Sequence, residues 1–392
     1  MNERYVQDVR KDTPPNSLNS KAGVALKKQR SSNLELYRII CMIMIVAHHY
    51  VVNSGLFNDG GPLITEPASM NSLYLALFGA WGKVGINCFL MITGYFMCTS
   101  TITFRKFMKF MLQIYLYKLL IFIIMLIAGY ENMTLLRILN LIMPVSSFSV
   151  GDFVSCFIAF WLTIPFLNRL IHHLSEREHV ILIILLLVLF TLLGTLPTFK
   201  VPLNYITWFG IIYIIASYFR LYPHSIFERR RFWGGMTLLV MILSIVSVIV
   251  IQYIYGNNGL RYSYYLLYDS NKILAVAFAV CSFLWFKNLN IEYSKLINAF
   301  GAGSFGVLLI HANSAAMRTW LWKDTVDCIG HYNLPLHSLL FYSIGAVFII
   351  FVVCNLIDQL RIATLEKWFF NWYDKVYATK IDNFVNKIIV GN

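Results

Sequence analysis

Ten apolar runs divide this chain of 392 residues, and each approaches the roughly 20 residues a helix needs to cross the hydrocarbon core of a bilayer. They run from Leu36 to Val52, Leu73 to Cys98, Phe107 to Gly129, Phe153 to Ile171, Val180 to Leu196, Tyr205 to Phe219, Gly234 to Tyr255, Leu266 to Phe286, Phe300 to Trp320 and Leu339 to Ile357. Backbone N–H and C=O groups in lipid must be satisfied within the protein, so runs of this length predict helices. The expected fold is therefore all-α: a polytopic membrane protein of about ten transmembrane helices. Composition excludes a soluble enzyme, because 58% of the residues are hydrophobic and 13% are charged, about half the usual charged share.

The net charge of +13 would suit a nucleic-acid partner if the cations formed a patch, but they fall in short clusters between the apolar runs. Nucleic acid is thus excluded as a partner, and the lipid bilayer is the expected surroundings. Counted over alternate connections, Lys and Arg number 23 on the side of the two termini and 5 on the other. Basic connections stay in the cytoplasm, so both termini are expected there, and removing one span would scramble the asymmetry. The division expected is a basic cytoplasmic tail (1–31), a ten-helix membrane domain (32–358) and a cytoplasmic interfacial segment rich in Trp and Phe (359–392). The polar start shows no apolar stretch before a cleavage site, so the first span is expected to direct insertion. Seven cysteines lie almost entirely within apolar segments, without a CxxC pair or zinc-like His spacing, so neither a disulfide framework nor a metal is expected. The stretch Thr134–Pro144 is too short to cross and is expected to lie on the outer face or re-enter.

An ionisable residue inside a span costs several kcal/mol unless paired or hydrated, which makes it a functional candidate. The first span carries Glu35, Arg38, His48 and His49. Glu35 and Arg38, at i and i+3, are close enough to pair. Arg38 and His49 are eleven apart, which returns the helix to within about 20° of the same face, about 16 Å deeper. By the same count His48 points about 80° away. An imidazole aligned with an arginine suits general-base chemistry on a hydroxyl. Equally, Arg38 can snorkel to headgroups while the His pair ends the helix, and this span alone leaves both readings open.

Elsewhere the candidates are less pointed. Asn87 and Thr93 in the second span, with His311 and Asn313 in the ninth, are candidate substrate contacts alongside His48. Against that, a lone intramembrane His often serves as an interhelical hydrogen bonder. Gly85 and Gly94 read as close-packing positions, and Lys83, near the outer interface, is explained equally well by snorkelling and by a role in the site. Arg105, Lys106 and Lys109 can clamp phosphates, although a cytoplasmic basic run is also ordinary topology signalling.

In the first span, Leu34-Glu35-x-x-Arg38 followed eleven residues later by His49 resembles the opening I-D-x-x-R-x10-H stretch of the acyltransferase-3 family of integral-membrane acyltransferases. Further stretches resemble the same family in order: Phe89 to Tyr95, the basic run at 105–109, Ile164 to Asn168, Tyr218 to Pro223 and Ser304 to His311. The likeness runs from about residue 32 to 370 and is of the standalone type, without the SGNH extension. Glu35 replaces the usual Asp, Thr93 the usual Ser, and Gly151-Asp152-Phe153 stands where the family has a His-x-Trp-like element.

The resemblance implies an O-acyltransferase of the bacterial cytoplasmic membrane. It would move an acyl group, usually acetyl, from acetyl-CoA to a hydroxyl of a sugar in a surface polysaccharide or its lipid-linked precursor, with no permanently bound cofactor. Under that reading His49 takes the acceptor proton, Arg38 oriented by Glu35 fixes the donor or the imidazole, and Arg105, Lys106 and Lys109 hold the donor nucleotide. Direct transfer and a covalent acyl-His relay both remain open. The rival is a secondary transporter or flippase of a sugar-lipid, since aligned polar residues also mark translocation paths. The absence of half-to-half similarity argues against it.

Overall fold

A computed structural model describes residues 31–376, apart from 58–59, 144, 146, 149–151 and 256–261. The basic tail up to residue 30 and the end of the C-terminal segment from 377 lie outside the described residues.

Among the described residues the fold is all-helical, with no strand. The helices are α1 (Ser32–Val52), α2 (Met70–Gly79), α3 (Gly82–Met97), α4 (Phe104–Ile127), α5 (Leu135–Ile142), α6 (Phe153–His173), α7 (Glu176–Leu186), α8 (Tyr205–Leu221), α9 (Arg230–Tyr255), α10 (Ile273–Lys287), α11 (Lys295–His311), α12 (Ala315–Thr319), α13 (Leu336–Arg361) and α14 (Lys367–Val376). A π turn extends α7 towards Thr195, another extends α12 to Thr325, and a third joins α13 to α14.

Among the described residues, seven helical stretches are long and apolar enough to cross a membrane, and α11 with α12 would form an eighth if this pair, bent by 96°, is one span. The remaining two of the ten expected runs, α8 and α10, have 17 and 15 residues and fall short of a full crossing length. These two are also deep in the bundle, with most of their residues buried against protein. The chain before α10 is correspondingly built into the interior. Asn271 donates to the Phe190 carbonyl at 2.9 Å, Tyr265 Oη to Thr195 at 2.9 Å and Lys272 Nζ to Gly194 at 2.6 Å. Irregular backbone is tolerated at such a place because its polar groups find partners in neighbouring helices.

α1 forms the axis of the bundle, packing against α2, α3, α10, α11 and α13. α3 lies between α1, α8 and α10, and α8 in turn meets α6 and α7. Between apolar helices in lipid there is little hydrophobic drive, so close backbone approach is what holds them. A Cβ on Gly85 would come within 2.9 Å of the Cys41 carbonyl, and one on Gly94 within 2.8 Å of the Ala216 Cβ, so glycine sets the α1–α3 and α3–α8 spacings. By contrast α9 presents Leu238, Leu239, Ile242, Leu243 and Val246 outward and forms the rim. The short α5 also exposes Leu135, Leu136, Leu139 and Ile142, and its eight residues span only about 12 Å, so it cannot cross.

Helix α13 passes the boundary expected at 358 and carries a buried ionic network with it. Asp358, fully buried, accepts from Tyr117 Oη at 2.8 Å, Gln113 Nε2 at 3.1 Å and Arg361 Nε at 2.7 Å. Arg361 also donates to Glu366 at 2.7 Å, and Glu366 pairs with Lys109. A Cβ at Gly306 would collide with Asp358, so glycine brings α11 against this network. Arg361, which falls within the segment expected to be cytoplasmic and interfacial (359–392), is a buried member of this network.

Candidate functional site

The first turns of α1 are pinned before the site begins. Asn33 donates to the last carbonyls of α10, Phe286 at 3.0 Å and Lys287 at 2.9 Å, and Tyr37 Oη lies 2.6 Å from Ser282 Oγ. Arg38 Nη1 meets Glu35 Oε1 at 2.9 Å, the i and i+3 pair that the spacing predicts. Gly301 lets α11 lie directly over Glu35, since a Cβ there would fall on the carboxylate.

Near the other end of α1, His49 Nδ1 lies 2.9 Å from His311 Nε2. His311 is fully buried, with its Nδ1 2.6 Å from the Val307 carbonyl. A carbonyl can only accept, so His311 Nδ1 carries hydrogen. In the neutral ring this leaves Nε2 of His311 bare, and it must accept from His49 Nδ1–H. The bare nitrogen of His49 is then Nε2. One peptide oxygen thus fixes both tautomers and leaves His49 with a basic nitrogen. The edge of Trp322 closes on His311, ring centroids 6.3 Å apart.

The dyad forms where α11 packs against α1, and the ninth apolar run breaks immediately after it. α11 stops at His311, and the chain turns by 96° before α12. Asn313 Nδ2 donates to the Leu309 carbonyl at 2.8 Å and satisfies the broken end, while Ser314 Oγ accepts from Met317 N at 3.1 Å and starts the next helix. Asn313 and Ser314 both border the cavity beside His49.

That cavity, about 620 Å³, is lined by His48, His49, Asn313 and a group of charged residues. His48 donates through Nδ1 to the Gly79 carbonyl at 2.6 Å, and its ring lies on Gly82, where a Cβ would collide with it. The charged lining comprises Lys83, Lys118, Arg318 and Asp152. Lys83 Nζ donates to Tyr205 Oη at 2.8 Å and Lys118 Nζ to the Met143 carbonyl at 2.7 Å. Asp152 caps α6, accepting from Ser155 N at 3.1 Å and Ser155 Oγ at 2.7 Å.

Several expected site residues stand elsewhere. Arg38 is not among the residues lining this cavity, so the guanidinium that shares it with His49 is that of Arg318. Asn87 is fully buried with its amide used at both ends, donating to the Ser270 carbonyl at 2.6 Å and accepting from Trp208 Nε1 at 2.9 Å. It holds three elements together and does not line the cavity. Thr93 turns its hydroxyl back to the Phe89 carbonyl at 3.1 Å, and it too lies outside.

The basic run at the start of α4 is exposed and met by the C-terminal helix. Arg105 forms a two-point pair with Asp374, at 3.0 and 2.9 Å, and lies over the Phe370 ring. Lys109 pairs with Glu366, and Lys106 Nζ donates to Ser100 Oγ at 2.7 Å. Lys118 comes nine residues after Lys109 on α4, about 13 Å further along the axis, so the run and the cavity occupy different levels.

Asp152, Tyr205, Lys118 and Arg318 line the cavity without having been expected as site residues, and Lys83, for which snorkelling and a site role stood equally open, lines it too. The signal available was an ionisable side chain in or beside a span, the same signal that picked out His49. Among the described residues no group of three His, Cys, Asp or Glu side chains is placed to hold a metal ion.

Three of the stretches that resemble the acyltransferase-3 family, at 89–95, 164–168 and 218–223, sit on or at the ends of neighbouring helices. Gly94 lies on Tyr213 and Ala216, Arg220 reaches Tyr95 Oη at 3.2 Å, and Asn168 donates to the Met97 carbonyl at 3.2 Å. Searches of curated proteins and of solved structures gave no match. The family model described as an acyltransferase domain matches residues 31–355. With that match covering most of the chain, from the start of α1 into α13, this multi-helix membrane protein belongs to the acyltransferase-3 family and is a membrane acyltransferase.

Proposed function

We propose that the protein transfers an acyl group, most simply acetyl, from acyl-CoA to a hydroxyl of a bacterial surface polysaccharide or its lipid-linked precursor. The observation that carries this reading is the bare Nε2 of His49, set by the Val307–His311–His49 chain beside a cavity large enough for a sugar. In the reaction, His49 Nε2 takes the proton of the acceptor hydroxyl as its oxygen attacks the thioester carbonyl. The C–O bond forms, the C–S bond breaks, and the departing coenzyme A thiolate receives the proton back from His49. His311 holds the ring in the required tautomer and stabilises the imidazolium while it lasts.

The donor nucleotide is assigned to the basic run Arg105, Lys106 and Lys109, with Arg38 and Glu35 at the mouth along its path. The acetyl-CoA donor needs no permanently bound cofactor. The charge asymmetry of the connections supports a topology with both termini in the cytoplasm and the donor entering from that side.

The test is mass spectrometry of the surface glycan from cells with the chain, without it, and with His49→Ala at matched membrane abundance. Loss of one acyl group in both altered strains is expected. An unchanged acyl pattern with His49→Ala would remove the ring from the chemistry, and an unchanged pattern without the chain would remove the glycan as acceptor.

A further inference from the structure

The cavity beside His49 holds three cationic side chains, Lys83, Lys118 and Arg318, against one carboxylate, Asp152. Positive charge in excess is costly between apolar helices, where little water is present to stabilise it. Lys83 donates to the Tyr205 hydroxyl and also lies within electrostatic range of Asp269, and Lys118 donates to the Met143 carbonyl, so the cations of the site still outnumber the carboxylates by three to two. The side chain of Arg318 makes no hydrogen bond to any described residue, although its five N–H donors form a fork that matches a carboxylate or a phosphate. Asp152 lies within electrostatic range of Arg318 and is already committed to Ser155.

Position indicates which substrate supplies the missing anion. The basic run to which the donor nucleotide is assigned sits at the start of α4, whereas these cations gather further along that helix and at the start of α3 and the end of α12. Two cation sets at different levels fit two anionic ligands approaching the same ring from opposite ends.

We propose that the acceptor is an acidic sugar, bearing a carboxylate or a phosphate ester, and that Arg318 and Lys83 bind this group so that a neighbouring hydroxyl faces His49 Nε2. The proposal rests on the reading of His49 as base and adds the substrate class. Arg318 and Lys83 are then the residues that distinguish acidic from neutral sugars, and charge-assisted pairs of this kind are worth roughly ten- to a hundredfold in affinity.

The experiment uses the full chain in lipid nanodiscs, with binding of galacturonate, galactose 1-phosphate, galactose and inorganic phosphate followed by calorimetry. Expected is binding of one acidic sugar at least about tenfold tighter than galactose. The two acidic probes distinguish carboxylate from phosphate ester. Arg318→Gln and Lys83→Gln should bring the preferred acid down to the level of galactose. Equal binding of acidic and neutral sugars by the unaltered protein overturns the proposal without relying on any variant. Inorganic phosphate binding as tightly as the sugar acid overturns it too, as does displacement of the acid by coenzyme A combined with weaker coenzyme A binding in Arg318→Gln. His49→Ala should keep the acid preference while losing transfer. If it instead keeps transfer, the catalytic reading fails while the binding result stands.

Discussion

Two polar assemblies within the helical bundle, one buried around Asp358 and one half-buried around His49, use similar side chains to opposite effect. Around Asp358 each charge finds its complement: Tyr117, Gln113 and Arg361 converge on one carboxylate, Arg361 extends to Glu366, and Glu366 to Lys109. Around His49 the balance is left open, with cations in excess, a guanidinium fork without a hydrogen bond to a described residue, and an imidazole that lines a cavity. A fully satisfied network rigidifies a fold, whereas an incompletely satisfied one is costly unless a ligand completes it.

The comparison is broken most directly at its two centres. His49→Ala is expected to lower transfer by about 10²–10⁴-fold with little change in thermal stability, measured by acyl transfer and by unfolding of the purified protein. Asp358→Ala should do the reverse. Removing one partner from a buried ionic network costs about 3–5 kcal/mol, so the midpoint of unfolding should fall steeply, with activity lost in proportion to folded protein. An Asp358→Ala protein of unaltered stability and no activity would place that network in the reaction and end the distinction drawn here.

Smaller changes sharpen it. His311→Phe removes the acceptor that sets the His49 tautomer, and a loss of up to about 100-fold in kcat, with KM little changed, is expected from steady-state kinetics. Equal losses in kcat and in substrate affinity would show that His311 touches substrate. The mildest case is Asp374→Ala, which releases Arg105 from an exposed pair worth at most about 0.5 kcal/mol. Stability should barely move, while under the proposed donor assignment KM for acetyl-CoA falls as Arg105 is released from Asp374; a rise in KM would place Asp374 itself in donor binding.

The sequence was most readable where one helix carries the whole relation. Glu35, Arg38 and His49 needed only helical periodicity, and the ion pair of the first two is present. His311 was visible as a polar residue in an apolar run, but its meeting with His49 depends on how α11 packs against α1, which no periodicity encodes. Asn87 shows the opposite difficulty. An amide facing a cavity and an amide bridging Ser270 to Trp208 occupy the same kind of position in a sequence, and only the neighbouring elements tell them apart. Arg361 was hidden by its setting beyond the last expected span, among charges that read as a tail. For α8 and α10 the apolar runs were legible, while the shortness of the helices follows from their burial among other helices.

The acyltransferase-domain match ends at 355, yet Asp358, Arg361 and Glu366 follow it and reach back to Lys109, Gln113 and Tyr117 on α4. A chimera that exchanges the C-terminal stretch with that of a relative must therefore exchange those three α4 side chains as well. The two pieces of sequence, about 250 positions apart, behave as a single heritable unit.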